Sequence, residues 1–291
     1  MKKGLIFSLL LFLSVYFLAR VNIYECRARI TKEGVHVTAS NLPPAVIKAI
    51  AGEFKGVFAD YILLKAASFI GGTARLTPED WEGIAILCKQ TMDLDPYFKQ
   101  TYCLIQATLP WEAEKVDLTV KLLKKSMQHR SWDWVPGFFI GFDYFYFKKD
   151  NLQASKYIME ASKVPDAPIP LATLGARLAQ KAEQTQTAIG FLKTMLAKTD
   201  NEETKELLET RIKALTGALI LEKAVKFFKN KYGRIPPALE DLLSKGVITS
   251  LPENPYGDNY FYNPETGRID FFKEKSREKA KRITENLEEN P

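Results

Sequence analysis

With 291 residues, 46% of them hydrophobic and 26% charged, the chain is long enough for two domains or for one domain and a repeat array, and apolar enough to bury a core. Its formal net charge of +6 comes from 41 basic and 35 acidic residues spread along the whole length, with no basic block interleaved with aromatics, which argues against a nucleic-acid partner. Three cysteines and two histidines exclude a disulfide scaffold and leave little material for zinc or histidine chemistry.

At the N-terminus Lys2 and Lys3 precede an apolar run from Leu5 to Ala19. That run is short for a membrane span, which takes ~20 residues, and has the length of a signal-peptide core. Cleavage after Ala19 would place Phe17 at a position that wants a small residue, and Tyr24 and Glu25 before Cys26 exclude lipoprotein processing. An uncleaved anchor over residues 1–23, extended by Val21 and Ile23 with Arg20 snorkelling, is therefore expected to hold the chain in the inner membrane. A cleaved signal is the alternative. Arg20, Arg27, Arg29 and Lys32 follow the run, so the flanking charges do not set its orientation. Residues 24–44, mixed and alternating, read as a linker.

From Pro44 onward the pattern is helical, with a stop at Gly71–Gly72. Thr77, Pro78 and Asp80 have the types and spacing of an N-cap, a first helical residue and a capping-box acid, and Pro96 blocks continuation. Small or medium apolar residues then recur at Ile84, Val120, Ala154 and Ala188, steps of 36, 34 and 34, each opening a helix. Ala161 and Met195 repeat the interval of 34. Such spacing predicts a mainly α fold built from paired helices. Cys88 and Cys103 sit eight before and seven after Pro96, at one height on antiparallel helices, either as a pair or as two buried core thiols.

The period of 34 with its closing Leu-Asp-Pro resembles the tetratricopeptide repeat over residues 45–202, with Pro96 and Pro165 at the closing position. The small residue that family places in each first helix is matched by Ala176, whereas Leu104 and Phe142 stand at the corresponding places and Gly141 is Phe142's neighbour. The resemblance implies a concave surface lined by first helices, with Thr101, Ile105, Phe139, Asp143, Tyr146, Thr173, Arg177 and Lys181 facing a protein or peptide partner. Nine aromatics crowd residues 131–149, more than one helix face can bury, so they either line the groove or fill core gaps.

Residues 203–272 form an expected second module. An amphipathic stretch ends at Tyr232–Gly233, Pro236 precedes a short helix with Leu239, Asp241 and Leu242, and Gly246, Leu251, Pro252, Pro255 and Gly257 punctuate the chain before Tyr260, Tyr262 and Gly267. That order resembles the C-terminal part of type II secretion pseudopilins and related pilin-like heads. The alternation of Tyr260 and Tyr262 and the turn residues before Arg268 predict a β-hairpin, which must pack on the preceding helix because a lone hairpin is unstable. Since pilin heads face the cell exterior, the resemblance implies a periplasmic location and, as an alternative function, a part in a secretion or pilus-assembly machine. Asn254 replaces the aspartate of the calcium-binding members, and Asp258, Glu265 and Asp270 supply too few oxygens, so no metal or cofactor is expected. Residues 273–291 read as a charged tail.

No phosphate loop, zinc motif, nucleophile elbow or plausible triad is present, and the acidic pairs Glu79–Asp80 and Glu240–Asp241 fall at helix starts where the dipole explains them. The expected role is that of a non-enzymatic, membrane-anchored scaffold or adaptor.

Overall fold

The computed structural model describes residues 41–72, 76–257 and 259–271, together with Phe12, Ser14, Tyr16, Phe17 and Arg20. The rest of the anchor, the linker up to residue 40 with Cys26 and His36, Asp258 and the tail over 273–291 lie outside the described residues. The protein is mainly helical, with a two-stranded sheet among the described residues. No described helix is long and apolar enough to cross a membrane. The chain divides into two compact units, residues 1–129 and 130–291.

In the first unit, α1 (Pro44–Ala51) leads through a 3-10 turn into α2 (Lys55–Gly72), followed by α3 (Pro78–Leu94), α4 (Lys99–Thr108) and α5 (Val116–His129). The start of α3 is built as its sequence suggests. Thr77 Oγ1 accepts from Asp80 N at 3.2 Å, Asp80 Oδ2 accepts from Thr77 N at 2.9 Å, and Pro78 needs no donor partner. Ala59, Ile62, Leu63 and Ala66 form the buried face of α2, and α2 packs on α3. Lys125 reaches Asp93 at 2.6 Å, Lys115 pairs with Glu82, and Ser126 Oγ lies 3.3 Å from Met92 Sδ, which joins α5 to α3.

In the second unit, α6 (Val135–Tyr146) packs on α7 (Asn151–Ala161), α7 on α8 (Ile169–Lys181), α8 on α9 (Thr185–Leu196), and α9 on α10 (Glu202–Tyr232). The pairs α6–α7 and α8–α9 repeat with a fixed interval: α6 and α8 begin at 135 and 169, α7 and α9 at 151 and 185, both 34 apart. Ala154 and Ala188, singled out by the period, are fully buried. Two glycines with the same interval, Gly141 and Gly175, set the approach of the neighbouring helices to α7. A Cβ at Gly141 would meet Ile158 Cγ1 at 2.4 Å and Ala154 O at 3.1 Å, and one at Gly175 would meet Met159 Cγ at 2.9 Å. The small residue expected at Phe142 is thus supplied one position earlier.

Helix α10 runs for 31 residues, about 46 Å at 1.5 Å per residue. Asn201 caps it by accepting from Thr204 N, and Gly233, at φ 71°, closes it in the left-handed conformation that a side chain would resist. Beyond it come α11 (Glu240–Ser244) and the antiparallel pair β1 (Phe261–Asn263) and β2 (Arg268–Asp270), in the register Phe261 to Asp270, Tyr262 to Ile269 and Asn263 to Arg268. Asn263 Oδ1 accepts from the amides of Glu265 and Thr266, and Gly267, at φ 73°, completes the turn. One hydrophobic core takes in residues of α8, α9 and α10 together with Leu239, Leu242, Tyr260, Ile269 and Phe271. The hairpin therefore does pack on the long helix.

Candidate partner-binding clusters

The eight residues expected to line a groove fall into different environments. Thr101, Ile105 and Asp143 are 0% exposed, so they lie inside the molecule and present nothing to a partner in this form. The reason is helical phase. On α4, Thr101 and Ile105 share the buried face with Tyr102, Gln106 and Thr108, and on α6 Asp143 shares it with Ile140 and Gly141. Tyr146 is exposed, while Phe139, Thr173, Arg177 and Lys181 are half-buried.

Phe139, Tyr146 and Arg177 belong to two clusters, whereas Thr173 donates from Oγ1 to Pro170 O at 3.1 Å and joins neither, nor does Lys181. The first is the aromatic face of α6. Asp133 accepts from Arg130 Nε at 2.9 Å and from Val135 N at 3.1 Å, and Pro136 follows in the first turn, which fixes where the helix begins. None of the nine aromatics of this stretch is fully buried. Trp134, Phe138 and Tyr144 lean on the core of Ala154, Ile158, Leu171 and Leu178. The others continue outward. Phe142 stacks on Tyr146 with centroids 5.4 Å apart, Phe147 meets Tyr146 edge-on at 4.9 Å, and Lys149 Nζ lies 5.0 Å over the Tyr146 ring. Tyr144 stacks on Tyr157 of α7 at 5.6 Å with Lys148 Nζ 5.7 Å from its centroid. Both readings of the aromatic run are thus partly realised: some rings complete the core, and Phe145 and Tyr146 stay at the surface.

The second cluster gathers around Arg177 of α8 and Arg211 of α10. The Arg211 guanidinium lies 5.5 Å from the Tyr256 ring centroid and 5.2 Å from that of Phe271, two rings that stack on each other at 5.8 Å. Burial lowers the Arg211 pKa from its ordinary value; Tyr256 opposes that shift, the Arg177 charge reinforces it, and Asp270 opposes it more weakly. Arg177 Nε is buried without a hydrogen-bond partner among the described residues. This cluster is cationic and aromatic, suited to a carboxylate or a peptide carbonyl, and its members Arg211, Tyr256 and Phe271 were not singled out from the sequence. The signal was weak because the hairpin end, not a repeat period, brings Phe271 to Arg211.

Among the described residues nothing forms an acid–base constellation. His129 donates from Nδ1 to the Lys125 carbonyl at 2.9 Å and meets Tyr97 edge-on, which makes it a helix-end residue. Cys88 and Cys103 are not joined to each other in a disulfide, and burial pushes the Cys88 pKa up to about 12. Asn254, where a calcium ligand would stand in the pilin-like heads, is buried; it donates to Phe271 O at 3.0 Å and accepts from Tyr256 N at 3.2 Å. Its amide ties the loop to the end of the hairpin. A shallow open depression lined by Ile220, Val247, Ile248, Thr249, Ser250 and Pro252 carries no titratable side chain.

The fold and these clusters define a mainly helical protein with aromatic and cationic surface features. In comparisons with known proteins, no family model, no curated protein and no solved structure matches the chain.

Proposed function

We propose that the protein is a non-enzymatic scaffold, anchored in the inner membrane through residues 5–19 and facing the periplasm, that binds an extended protein or peptide segment through tetratricopeptide-like helix pairs. The observation that carries this reading is the outer face of α6, where exposed Phe145 and Tyr146 sit beside Lys148 and Lys149. Rigid aromatic rings offer contact area at small entropic cost, and lysines over their faces add a site for acidic side chains. Arg177 and Arg211 supply a second polar contact on the same unit.

A second reading, a structural component of a secretion or pilus-assembly machine acting through a pilin-like head, is favoured by the way the hairpin is built onto α10. Tyr260 donates to Ala214 O at 2.9 Å and Tyr262 to Pro236 O at 2.6 Å.

Topology is tested by fusing alkaline phosphatase after residue 272, with a cytosolic reporter in parallel. Phosphatase activity supports the periplasmic reading, and activity of the cytosolic reporter alone defeats it. The binding surface is tested by co-purification from envelope fractions of cells producing the full chain or its Phe145→Ala/Tyr146→Ala variant. Partners lost with the double variant support the scaffold. Partners kept by it but lost on deletion of residues 233–272 support the head.

A further inference from the structure

Helix α2 is apolar on two opposite sides. One side, with Ala59, Ile62, Leu63 and Ala66, is buried. The other carries Val57, Phe58, Tyr61 and Leu64, all exposed, and on the other side of the break at Gly52, or in the turn after it, Leu42, Val46, Ile50 and Phe54 are exposed as well. Leu64 is 67% exposed and Phe54 68%. Eight exposed large hydrophobics thus occupy residues 42–64, against twelve over residues 65–251, where they mostly stand singly. An isolated exposed leucine needs no explanation, but this concentration of exposed large apolar side chains marks a surface that meets something apolar.

We infer that this face of α1 and α2 lies on the lipid bilayer to which the N-terminal segment holds the chain; the inference rests on the anchor reading given above. Two observations select lipid. The first is chain length. The apolar run ends at Ala19, and some twenty residues separate it from Leu42. Even a fully extended chain of that length reaches no farther than about 75 Å. Once residues 5–19 are inserted, this face is kept at a high effective concentration beside the membrane surface.

The second is width. At 100° per residue, the exposed side chains of α2 from Leu64 through Val57 and Tyr61 to Phe58 cover an arc of about 120°, within which Lys65 also falls. That is the full width of the apolar face of an amphipathic helix, and a helix lying in the membrane interface sinks such a face to about 5–10 Å. Lys48, Lys55 and Lys65 stand against Glu53 and Asp60 over the same residues, a balance of one positive charge that permits an anionic surface without requiring one.

The test uses the full chain with the photoreactive residue p-benzoylphenylalanine in place of Tyr61, reconstituted in vesicles of phosphatidylethanolamine and phosphatidylglycerol. A second preparation carries it in place of Thr187, an exposed residue of α9. Lipid adducts at position 61 and none at 187 are expected, and adding Val57→Glu/Leu64→Glu should abolish those at 61. Crosslinks from position 61 to a second copy, to residues 1–23 of the same chain, or to nothing would each overturn the inference. Alkaline extraction of the same vesicles reads the anchor separately. Protein retained in the membrane without a lipid adduct at 61 sinks the inference alone, and protein released by alkali sinks the anchor reading.

Discussion

The Tyr260 hydroxyl lies directly over Gly217. It donates to Ala214 O at 2.9 Å, and a Cβ at position 217 would come within 2.1 Å of it. A glycine in the interior of α10 thus makes the seat on which the C-terminal hairpin rests. Alanine would raise helix propensity there by ~1 kcal/mol, yet it would have to displace a buried ring whose hydroxyl has a backbone partner. Displacement should win. Gly217→Ala is expected to lower stability by about 1–3 kcal/mol, the usual cost of overpacking, and Tyr260→Phe by about 1 kcal/mol for the lost hydrogen bond. In the double variant the two costs should add only in part, because phenylalanine lacks the hydroxyl but keeps the ring carbon Cζ, which an added Cβ would meet at 2.7 Å. Chemical denaturation of the four proteins checks this.

Three helical glycines in the second unit should respond to alanine with different signs. Gly141 and Gly175 are pressed against α7, and Gly190 of α9 has nothing within 4 Å of its added Cβ. Gly190→Ala should stabilise by about 0.5–1 kcal/mol through the unfolded state and helix propensity. Gly141→Ala should destabilise, since Ile158 must leave its place in a fully buried position. Thermal melts showing all three variants shifted upward would mean that the helices separate easily and that the 34-residue spacing of Gly141 and Gly175 carries no packing role.

Much of this architecture is legible in the residues themselves. Thr77, Pro78 and Asp80 announce the start of α3, and the intervals through Val120, Ala154 and Ala188 announce the alternation of helices, because capping and burial are local or periodic demands. The hairpin is legible for a similar reason: Asn263 and Gly267 build its turn locally. The groove residues are less so. Assigning Thr101, Ile105 and Asp143 to a surface required knowing the rotational phase of α4 and α6, and on α6 Gly141 rather than the next residue takes the close approach. The Arg211 cluster depends on a contact between residues 60 apart in sequence, Arg211 and Phe271, for which no local pattern exists.

Cys88 and Cys103 should differ sharply in reactivity. Cys88 is fully buried, and burial pushes its pKa up to about 12 from an ordinary value of 9.0, while Cys103 is half-buried. Under native conditions a small alkylating reagent should modify Cys103 and spare Cys88 until the chain unfolds. The same burial has a pH consequence. Because the folded pKa lies above the unfolded one, the neutral thiol contributes stability that is full below pH 9 and is lost as pH rises from about 9 towards 12, at up to ~1.4 kcal/mol per pH unit. Cys88→Ala should flatten that part of the stability profile, and an equal slope in both proteins would contradict the assignment.

Glu222 offers the opposite opportunity, a gain in stability from removing a charge. It sits on α10, where Thr185 Oγ1 donates to its Oε1 at 2.9 Å, and Gln180, which also donates to Ile269 O at 3.2 Å, bonds its side chain. Burial raises its pKa above 4.5, outweighing the hydrogen bonds from Thr185 and Gln180, and nearby Glu183 adds a smaller push in the same direction. A carboxyl with a raised folded pKa contributes stability that is full below the unfolded value and is lost as pH rises through the folded one. Wild-type protein at neutral pH therefore carries the cost of ionising this partly buried group. Glutamine keeps an oxygen for Thr185 and carries no charge. Glu222→Gln should melt higher than wild type at pH 7, with the difference shrinking as pH falls towards 4. A variant that melts lower at both pH values would show that the hydrogen bonds accepted by the carboxylate outweigh its desolvation, reversing the balance argued here.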